Sequence, residues 1–252
     1  MTSSTIESIL KARGAWLKAT HGDPAEAAKH SVLSKHIAQH YSVYEKVRDH
    51  VIKATEEYVH RVPISAPHLS PEGLAILSVL ETHGMIMREP GGNAICDTKS
   101  KRYLSGGWLE ELAWLAAMEA GADEAIYGQV IGWKVKEFTG ENEIDLIVRK
   151  GEMLGFLSCK AFRSDLDMQD RKHRNRLMDS VHEADNLGDH FGRPGEKVAV
   201  LVTTDLFDED RNVARYNALM GKAAVLDVRI IALEDLGWDR LVAAIASLFE
   251  KD

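Results

Sequence analysis

The first sixty residues are predicted to be helical. Apolar residues recur at helical spacing from Ile6 to Lys18. The segment that begins at Pro24 has no glycine and no further proline before Pro63, so it predicts one long helix or two. The stretch VPISAPHLSP that follows contains three prolines and predicts a linker.

A helix and a hairpin are predicted between this linker and residue 103. Ser70 is suited to an N-cap, Pro71 to the first helical position, and Gly84 to the end of the helix. The runs MIMRE and NAICDT flank the turn PGG, which predicts a hairpin. A helix followed by a hairpin resembles the second half of a winged-helix unit. The alternative is a small connector that packs against its neighbour.

From Leu104 onward, the pattern predicts an α/β unit. An amphipathic helix, GGWLEELAWLAAMEAG, precedes three strand-like runs, EAIYGQVIGWKVKE, NEIDLIVRK and MLGFLSCKA. The remaining order is helix, strand, helix (208–224), strand (223–233), helix. This order predicts a mixed sheet flanked by helices. We therefore divide the chain into a helical N-terminal region (1–66), a helix-hairpin connector (67–103) and an α/β domain (104–252).

Composition narrows the class of protein. The chain has 252 residues, of which 45% are hydrophobic and 28% charged, as in ordinary globular proteins. No apolar stretch approaches the roughly 20 residues of a membrane helix, and the N-terminus lacks a signal-peptide pattern. With two cysteines, Cys96 and Cys159, we expect a cytoplasmic protein without disulfides and without a membrane partner. The formal net charge of −8 means that any nucleic-acid contact requires a local basic patch.

Two charged residues stand at the ends of apolar strands. Asp145 begins the apolar run of the second predicted strand, and Lys160 ends the third. If the three strands form an antiparallel meander, these two ends meet at one edge of the sheet. Charges beside apolar strands are costly unless they pair or bind a metal. The alternative to a functional site is an ion pair that stabilises the strand ends.

This combination of groups suits phosphodiester hydrolysis. Such a reaction needs a hard cation, an activated water and neutralisation of the charge that develops in the transition state. Carboxylates hold Mg²⁺ or Mn²⁺, and a lysine can orient the water. The pattern resembles the PD-(D/E)xK nuclease fold, which supplies these groups as an aspartate on one strand, an acid-x-Lys triplet on the next and often an acid from the preceding helix. That resemblance makes the candidates Asp145, the triplet Ser158-Cys159-Lys160, and Glu110 or Glu111.

Three motifs carry a resemblance to a known family. GGWLEEL, NEIDLIV and LGFLSCKAF, in this order and spacing, resemble the PD-(D/E)xK nuclease domain of the CARF-associated effectors, ancillary nucleases of type III CRISPR systems. The resemblance covers roughly residues 104 to 205. It implies a restriction-endonuclease-like fold, cleavage of DNA, RNA or both with Mg²⁺ or Mn²⁺, a homodimer, and a role in prokaryotic antiviral defence.

The chain departs from this family in two ways. Ser158 stands where the acid of the acid-x-Lys motif is expected, and a hydroxyl is a weaker ligand than a carboxylate. No CARF domain is recognisable in the first hundred residues, so binding of a cyclic oligoadenylate does not follow from the resemblance. We expect control by the N-terminal part or by a partner protein.

The family's roles apply to matching positions of this chain. Glu110 and Asp145 are predicted to hold the metal, helped by a main-chain carbonyl near Cys159. Lys160 is predicted to position the attacking water, and Ser158 to act as a supporting group or a relic. Glu143 lies on the same strand face as Asp145 and is a further candidate ligand.

RKHRNR, residues 171–176, is the densest basic run of the chain. It supplies our candidates for contacts with a nucleic-acid backbone, which are Arg171, Lys172, Arg174 and Arg176. The alternative is a solvated helix face.

The sequence thus predicts a metal-dependent endonuclease. The alternative is a catalytically inactive nuclease-fold module that binds nucleic acid or a partner protein, with Ser158 marking the loss of activity.

Overall fold

The computed structural model describes residues 4–60, 69–89 and 94–250. The helices in these ranges are α1 (Ile6–Ala12), α2 (Pro24–Gln39), α3 (Tyr41–Val59), α4 (Pro71–Thr82), α5 (Thr98–Arg102), α6 (Trp108–Glu119), α7 (Arg171–Phe191), α8 (Asn217–Val225) and α9 (Trp238–Ala246). The strands are β1 (Ala15–Thr20), β2 (Met87–Arg88), β3 (Ala94–Ile95), β4 (Glu124–Val135), β5 (Phe138–Lys150), β6 (Met153–Lys160), β7 (Val198–Val202), β8 (Phe207–Asp208), β9 (Val213–Ala214) and β10 (Val228–Ile231). A π-helical turn, Tyr103–Gly107, joins α5 to α6, and 3₁₀ turns cover Leu233–Asp235 and Ser247–Phe249.

A mixed sheet of six strands organises the fold. Its order is β1-β4-β5-β6-β7-β10. The pairs from β1 to β6 are antiparallel, whereas β6–β7 and β7–β10 are parallel. The predicted meander of three strands is therefore present as β4, β5 and β6, and the predicted restriction-endonuclease-like α/β architecture is confirmed.

Both faces of the sheet are covered by apolar side chains. Leu146 of β5 packs into a cluster with residues of α3, α6 and α9, including Trp108. Its neighbour Ile147 packs into a second cluster with α1 and α7, including Val181. Adjacent residues of one strand thus enter different cores, which explains why the central strands are apolar almost throughout.

The N-terminal region differs in part from the sequence prediction. The predicted helix from Ile6 to Lys18 is wrong beyond Ala12, because the chain turns at Gly14 (φ +81°) and enters β1. β1 pairs with β4 and forms an edge of the sheet. Pairing with a distant strand decided the conformation of a segment whose local pattern was helical.

Two later predictions also need correction. The helix predicted over 208–224 begins only at Asn217, after the short β8–β9 hairpin. The strand predicted over 223–233 is confined to Val228–Ile231, because the residues before it continue α8.

A helix and a hairpin follow the N-terminal region, as predicted. α4 has Ser70 as its N-cap, whose hydroxyl accepts a hydrogen bond from the Gly73 N–H, and β2 pairs antiparallel with β3. The PGG turn and most of the predicted linker lie outside the described residues. The boundaries at 66 and 103 stay a prediction. One apolar cluster includes side chains on both sides of each boundary, from Ala27 to Leu248.

None of the helices within the described ranges is long and apolar enough to cross a membrane.

A buried ion pair fixes α1 to the far side of the fold. The Arg13 guanidinium donates to both carboxylate oxygens of Glu196, at 2.7 and 2.6 Å, and to the Phe191 carbonyl. The exposed fractions of the Arg13 and Glu196 side chains are 7% and 5%. Glu196 also accepts hydrogen bonds from the main-chain N–H groups of Leu154 and Arg193. The pair therefore ties together α1, β6 and the loop that precedes β7.

We predict that Arg13→Met lowers the free energy of unfolding by about 3 kcal/mol, because it leaves the Glu196 carboxylate buried without a counter-charge. Urea denaturation measures the change. Lys18→Met is the matched control, because Lys18 pairs with Glu141 at an exposed position and its loss should cost less than about 1 kcal/mol. Equal losses in the two variants would contradict the prediction.

Candidate active site

The antiparallel pairing of β5 and β6 brings Asp145 beside the Ser158-Cys159-Lys160 triplet. Leu146 is opposite Leu157, so Asp145 faces Ser158 in the same register. One carboxylate oxygen, Asp145 Oδ2, accepts a hydrogen bond of 2.7 Å from the Cys159 N–H and one of 3.2 Å from the Ser158 hydroxyl. Within the described residues, Asp145 Oδ1 receives no hydrogen bond. One oxygen is therefore held in place while the other is available to a ligand.

Lys160 joins this group from the end of β6. Its Nζ lies 4.0 Å from Asp145 Oδ2 and 3.0 Å from Glu183 Oε2 on α7. Burial lowers the pKa of Lys160, but the nearby Asp145 and Glu183 carboxylates outweigh it, and the pKa is raised overall. Lys160 is therefore a charged ammonium at neutral pH.

A glycine makes room for Glu110 on the other side of Asp145. In the register of β4 and β5, Gly128 falls opposite Asp145 and has a φ of +55°. A Cβ atom at Gly128 would lie 3.4 Å from Glu110 Oε2 and 3.1 Å from the Gly22 nitrogen. A side chain at this position would thus be strained and would crowd the Glu110 carboxylate.

The strands change face near this glycine. Tyr127 and Leu146 belong to the cluster beside α6, whereas Ile131 and Ile144 belong to the cluster beside α7. Each pair on one strand is separated by an even number of residues, so strict alternation would place both members on the same face. The irregularity occurs where β4 and β5 pass the Gly128–Asp145 position.

Glu110 and Asp145 repel each other in a partly buried setting. Burial, followed by the charge of Asp145, raises the pKa of Glu110 to about 7. Burial also raises the pKa of Asp145, although Lys160 and the hydrogen bonds from Cys159 and Ser158 oppose this. Two carboxylates that resist ionisation side by side are stabilised by a cation between them.

Glu111, the second acid of α6, already has a partner. Its Oε2 lies 3.0 Å from Nδ1 of the buried His30. Glu110 has no such hydrogen bond within the described residues. This difference favours Glu110 over Glu111 as a ligand.

Asp145, Ser158 and Lys160 line a cleft of about 610 Å³. The other lining residues are Trp133, Asn142, Glu143, Glu183, Asn186, Leu187, Asp189 and His190. Glu110 borders a different, neighbouring cavity of about 430 Å³. Glu110 therefore approaches Asp145 from the α6 side of the sheet, and the cleft opens on the α7 side.

The donor set suits a hard divalent cation that keeps part of its water shell. No three His, Cys, Asp or Glu side chains among the described residues are grouped to hold a metal. Glu110, Asp145 and one main-chain carbonyl would supply three oxygens, and Mg²⁺ usually retains several water ligands. The carboxylates fit such an ion because their mutual repulsion and their raised pKa values would be relieved by its charge.

The side chain of Cys159 lies apart from these oxygens. It packs against the core beside α6, and burial raises the pKa of its thiol well above the ordinary value. Cys159 therefore takes part in the site through its main chain.

Glu143, the further candidate ligand, is exposed at the cleft wall, on the same side as Asp145.

The basic run forms the first turns of α7, and later residues of the same helix line the cleft. Arg171 and Lys172 are exposed in the first turn, and Arg174 is half-buried. The Arg176 guanidinium lies 4.6 Å from the centre of the Phe162 ring, two residues beyond Lys160. Arg176 and Glu183 are seven residues apart, which places them on one face of α7 about 10 Å apart along its axis. None of the four predicted contact residues lines the cleft, and Arg176 lies nearer to it along α7 than Arg171 does.

Three residues at the site were not predicted from the sequence: Glu183, Gly128 and Trp133. Glu183 lies on an amphipathic helix after the lysine motif. It reaches Lys160 because of how α7 packs on the sheet, which the sequence does not show. Gly128 interrupts an apolar strand, which is a recognised signal for close approach of another group. Trp133 is half-buried and lines the cleft, although tryptophan in a strand is usually a core residue.

The fold and the site define the class of protein. A mixed sheet with an aspartate and a lysine on adjacent strands, and a glutamate on the preceding helix, is a restriction-endonuclease-like arrangement. The family model described as "Card1-like, endonuclease domain" matches residues 97–237, more than half of the chain, so the chain belongs to this family.

Two solved structures share the fold at low sequence identity. Protein VC1899 from Vibrio cholerae has a TM-score of 0.66 and 16% identity, with 98% of this chain and 62% of that chain covered. Can2 from Sulfobacillus thermosulfidooxidans, solved with cyclic tetra-adenylate, has a TM-score of 0.65 and 12% identity, with 96% and 61% covered. This chain therefore spans about three fifths of the length of each. No curated protein matches the chain.

We predict that Glu110→Gln increases stability at pH 8 in a metal-free buffer. The folded-state pKa of about 7 exceeds the ordinary 4.5, so stability falls as the pH rises from about 4.5 to 7 and stays lower above it. Because the amide of Gln is neutral at every pH, the variant does not lose this stability. The gain in the free energy of unfolding has an upper limit of about 3 kcal/mol. Urea denaturation in EDTA at pH 8 and pH 4 measures it. The gain should be absent at pH 4, and a gain of equal size at both pH values would contradict the electrostatic cause.

Proposed function

We propose that this chain is a divalent-metal-dependent endonuclease that hydrolyses phosphodiester bonds of DNA, RNA or both. The observation that carries the proposal is the approach of Asp145 and Lys160 to 4.0 Å at the wall of a cleft. It occurs in a chain that belongs to the Card1-like endonuclease-domain family.

Glu110, Asp145 and the main-chain carbonyl of Cys159 are the proposed ligands of Mg²⁺ or Mn²⁺. When bound, the ion would supply Lewis acidity towards the phosphate and a lower pKa for water. The chain's own contribution is the geometry of its oxygens. Hydrogen bonds from Cys159 and Ser158 fix one oxygen of Asp145 and direct the other outward.

Lys160 is proposed to orient the attacking water and to stabilise the negative charge that develops on the phosphate. Its raised pKa keeps it protonated, so it donates hydrogen bonds and does not accept a proton at neutral pH. A fixed ammonium in a partly buried site stabilises developing charge more strongly than a solvated one does.

Glu183 is proposed to compensate for Ser158. An acid at position 158 would place a carboxylate beside Lys160, and here Glu183 does so from α7, at 3.0 Å. It acts through Lys160 as a positioning residue, because it holds the ammonium charged and restrains its direction. A serine in the strand is then compatible with an active site.

Arg171, Lys172, Arg174 and Arg176 are proposed to contact the phosphate backbone. Their support is the position of Arg176 beside Phe162, on the same face of α7 as Glu183. Such contacts carry no sequence preference and weaken with salt.

The proposed setting is prokaryotic antiviral defence of the CRISPR type. Membership of the Card1-like family and the shared fold with Can2 support it. We further propose a homodimer, controlled by its N-terminal region or by a partner protein.

We predict that Asp145→Asn lowers cleavage of plasmid DNA or single-stranded RNA in Mn²⁺ by at least about 100-fold, because a ligand and the partner of Lys160 are both lost. The double variant Asp145→Ala, Lys160→Ala should be inactive. Initial rates on gels, with EDTA as the metal-free control, measure the effect. Asp189→Asn is the matched control, because it removes another carboxylate from the cleft without touching Lys160.

Activity that survives the double variant would assign cleavage to another site or to a contaminant. If the unmodified chain binds nucleic acid without cutting it, the inactive-module alternative is correct. Cleavage gained by Ser158→Glu would then show that the serine caused the loss.

We predict that Glu183→Gln lowers kcat by about 10-fold with little change in KM, because it disturbs Lys160 and not substrate contacts. Without the Glu183 charge, the pKa of Lys160 falls, so the alkaline limb of the pH–rate profile moves to lower pH. Asp185→Asn, on the same helix, is the control. An unchanged pH profile in Glu183→Gln would show that Glu183 has only a structural role.

A further inference from the structure

An exposed tryptophan on β1 lies in an open groove lined by lysines. The lining residues are Lys11, Gly14, Ala15, Trp16, Lys134 and Lys136, in a groove of about 590 Å³. Three of the six are lysines, and none is a carboxylate. The groove is thus a local positive patch on a chain whose formal net charge is −8.

Trp16 packs over a glycine of β4 and remains partly exposed to solvent. It pairs with Gly132 on β4, and a Cβ at Gly132 would lie 2.5 Å from the Trp16 ring. The ring therefore lies flat on the backbone of β4, where glycine leaves space for it. The side chain is still 40% exposed. A ring supported on one face and open on the other can stack with a planar ligand.

The lysines of the groove have no acidic partners. Within the described residues, Lys11, Lys134 and Lys136 form no salt bridge, whereas Lys18 nearby is paired with Glu141. Lys134 alternates with Gly132 along β4, so it faces the same side as Trp16. The three ammonium groups are therefore available to bind anions.

Lys136 occupies a backbone position that disfavours it. It lies in the β4–β5 turn with a φ of +56°, a region where glycine or asparagine is preferred. The turn thus places a lysine next to the groove despite its local conformational cost.

The groove and the proposed catalytic cleft are separate, and both use residues of the same stretch of β4. Trp133 lines the cleft on the other face of β4, and its Nε1 donates to Asn142 Oδ1 at 2.8 Å. Val135 pairs with Phe138, which is 73% exposed at the hairpin tip. Apolar side chains therefore extend from the cleft to the tip of the β4–β5 hairpin. Trp16 lies on the opposite face of β4 from Trp133.

We propose that this groove binds a single-stranded nucleic acid, with a base stacked on Trp16 and phosphates contacted by Lys11, Lys134 and Lys136. The proposal rests on the proposed function, since the bound strand would be the one that enters the cleft. Positive charge selects a polyanion, and a free aromatic face selects an unpaired base. A paired base is already stacked within its duplex and does not offer its face to the ring.

The test measures binding separately from cleavage. Fluorescein-labelled 12-nucleotide oligo-dT, 12-nucleotide oligo-rU and a 12-base-pair duplex are titrated with the Asp145→Asn protein in EDTA, and fluorescence anisotropy is recorded. We expect tighter binding of single strands. Trp16→Ala should weaken single-strand binding by about 10-fold, and Trp16→Phe should largely retain it.

The lysines are tested through the salt dependence. The double variant Lys134→Gln, Lys136→Gly should reduce the slope of log affinity against log salt by about 1.4. Lys136→Gly alone should weaken binding while leaving the protein as stable or more stable, which excludes unfolding as the cause. The matched control is Lys46→Gln, Lys53→Gln, which removes two exposed lysines from α3 and should leave the slope unchanged.

The proposal is overturned if Trp16→Ala binds single strands as tightly as the parent protein, or if the duplex is preferred. It is also overturned if Trp16→Ala leaves binding intact and instead changes the sedimentation coefficient, because the groove would then contact a second copy of the chain. Normal groove binding together with no cleavage by the unmodified chain would contradict the proposed nuclease function and leave the groove assignment intact.

Discussion

The candidate site depends on one partly buried carboxylate, that of Asp145. Two hydrogen-bond donors from β6 hold one of its oxygens, and Lys160 lies beside the same oxygen. On its other side lies Glu110, whose pKa is raised by burial and by the charge of Asp145. A cation between these carboxylates would offset this cost, which is the physical basis of the proposed metal site. Functional sites commonly contain such local costs.

The serine in the lysine motif changes where the carboxylates come from. In β6 itself, Ser158 supplies a hydroxyl that orients Asp145 and no negative charge. Besides Asp145, a second carboxylate near Lys160 is that of Glu183, on the helix that crosses back over the sheet. The same electrostatic environment can therefore be built from a strand residue or from a helix residue, provided that the helix packs with the correct face inward. An alignment of the motif alone would classify the site as incomplete.

The surroundings of the site show how a chain of negative net charge could handle a polyanion. Its lysines and arginines are not spread evenly: one group begins α7 and another lines the groove beside Trp16. Trp16 and Lys134 lie on the face of the sheet opposite α7, whereas Lys11 belongs to α1, which packs on the same face as α7. A path along both groups would bring phosphates past the cleft while the acidic remainder of the surface repels them.

The sequence by itself determined the order of the longer elements from α6 onward, except for the short β8–β9 hairpin, together with the meander β4–β5–β6 and the meeting of Asp145 with Lys160. These features follow from local periodicity and from antiparallel pairing of consecutive strands, which both act over short chain distances. It also predicted a ligand role for Glu110, through the resemblance of linked motifs, and nucleic-acid contacts for the basic run, through its charge. The tertiary structure decided the rest. β1 is a strand because β4 offers it an edge, although its own pattern was helical. Packing between segments far apart in the chain sets the positions of Glu183, Gly128 and the Trp16 ring. No local pattern encodes which face of a helix meets which strand, because that choice is made by the shape and burial of the whole core.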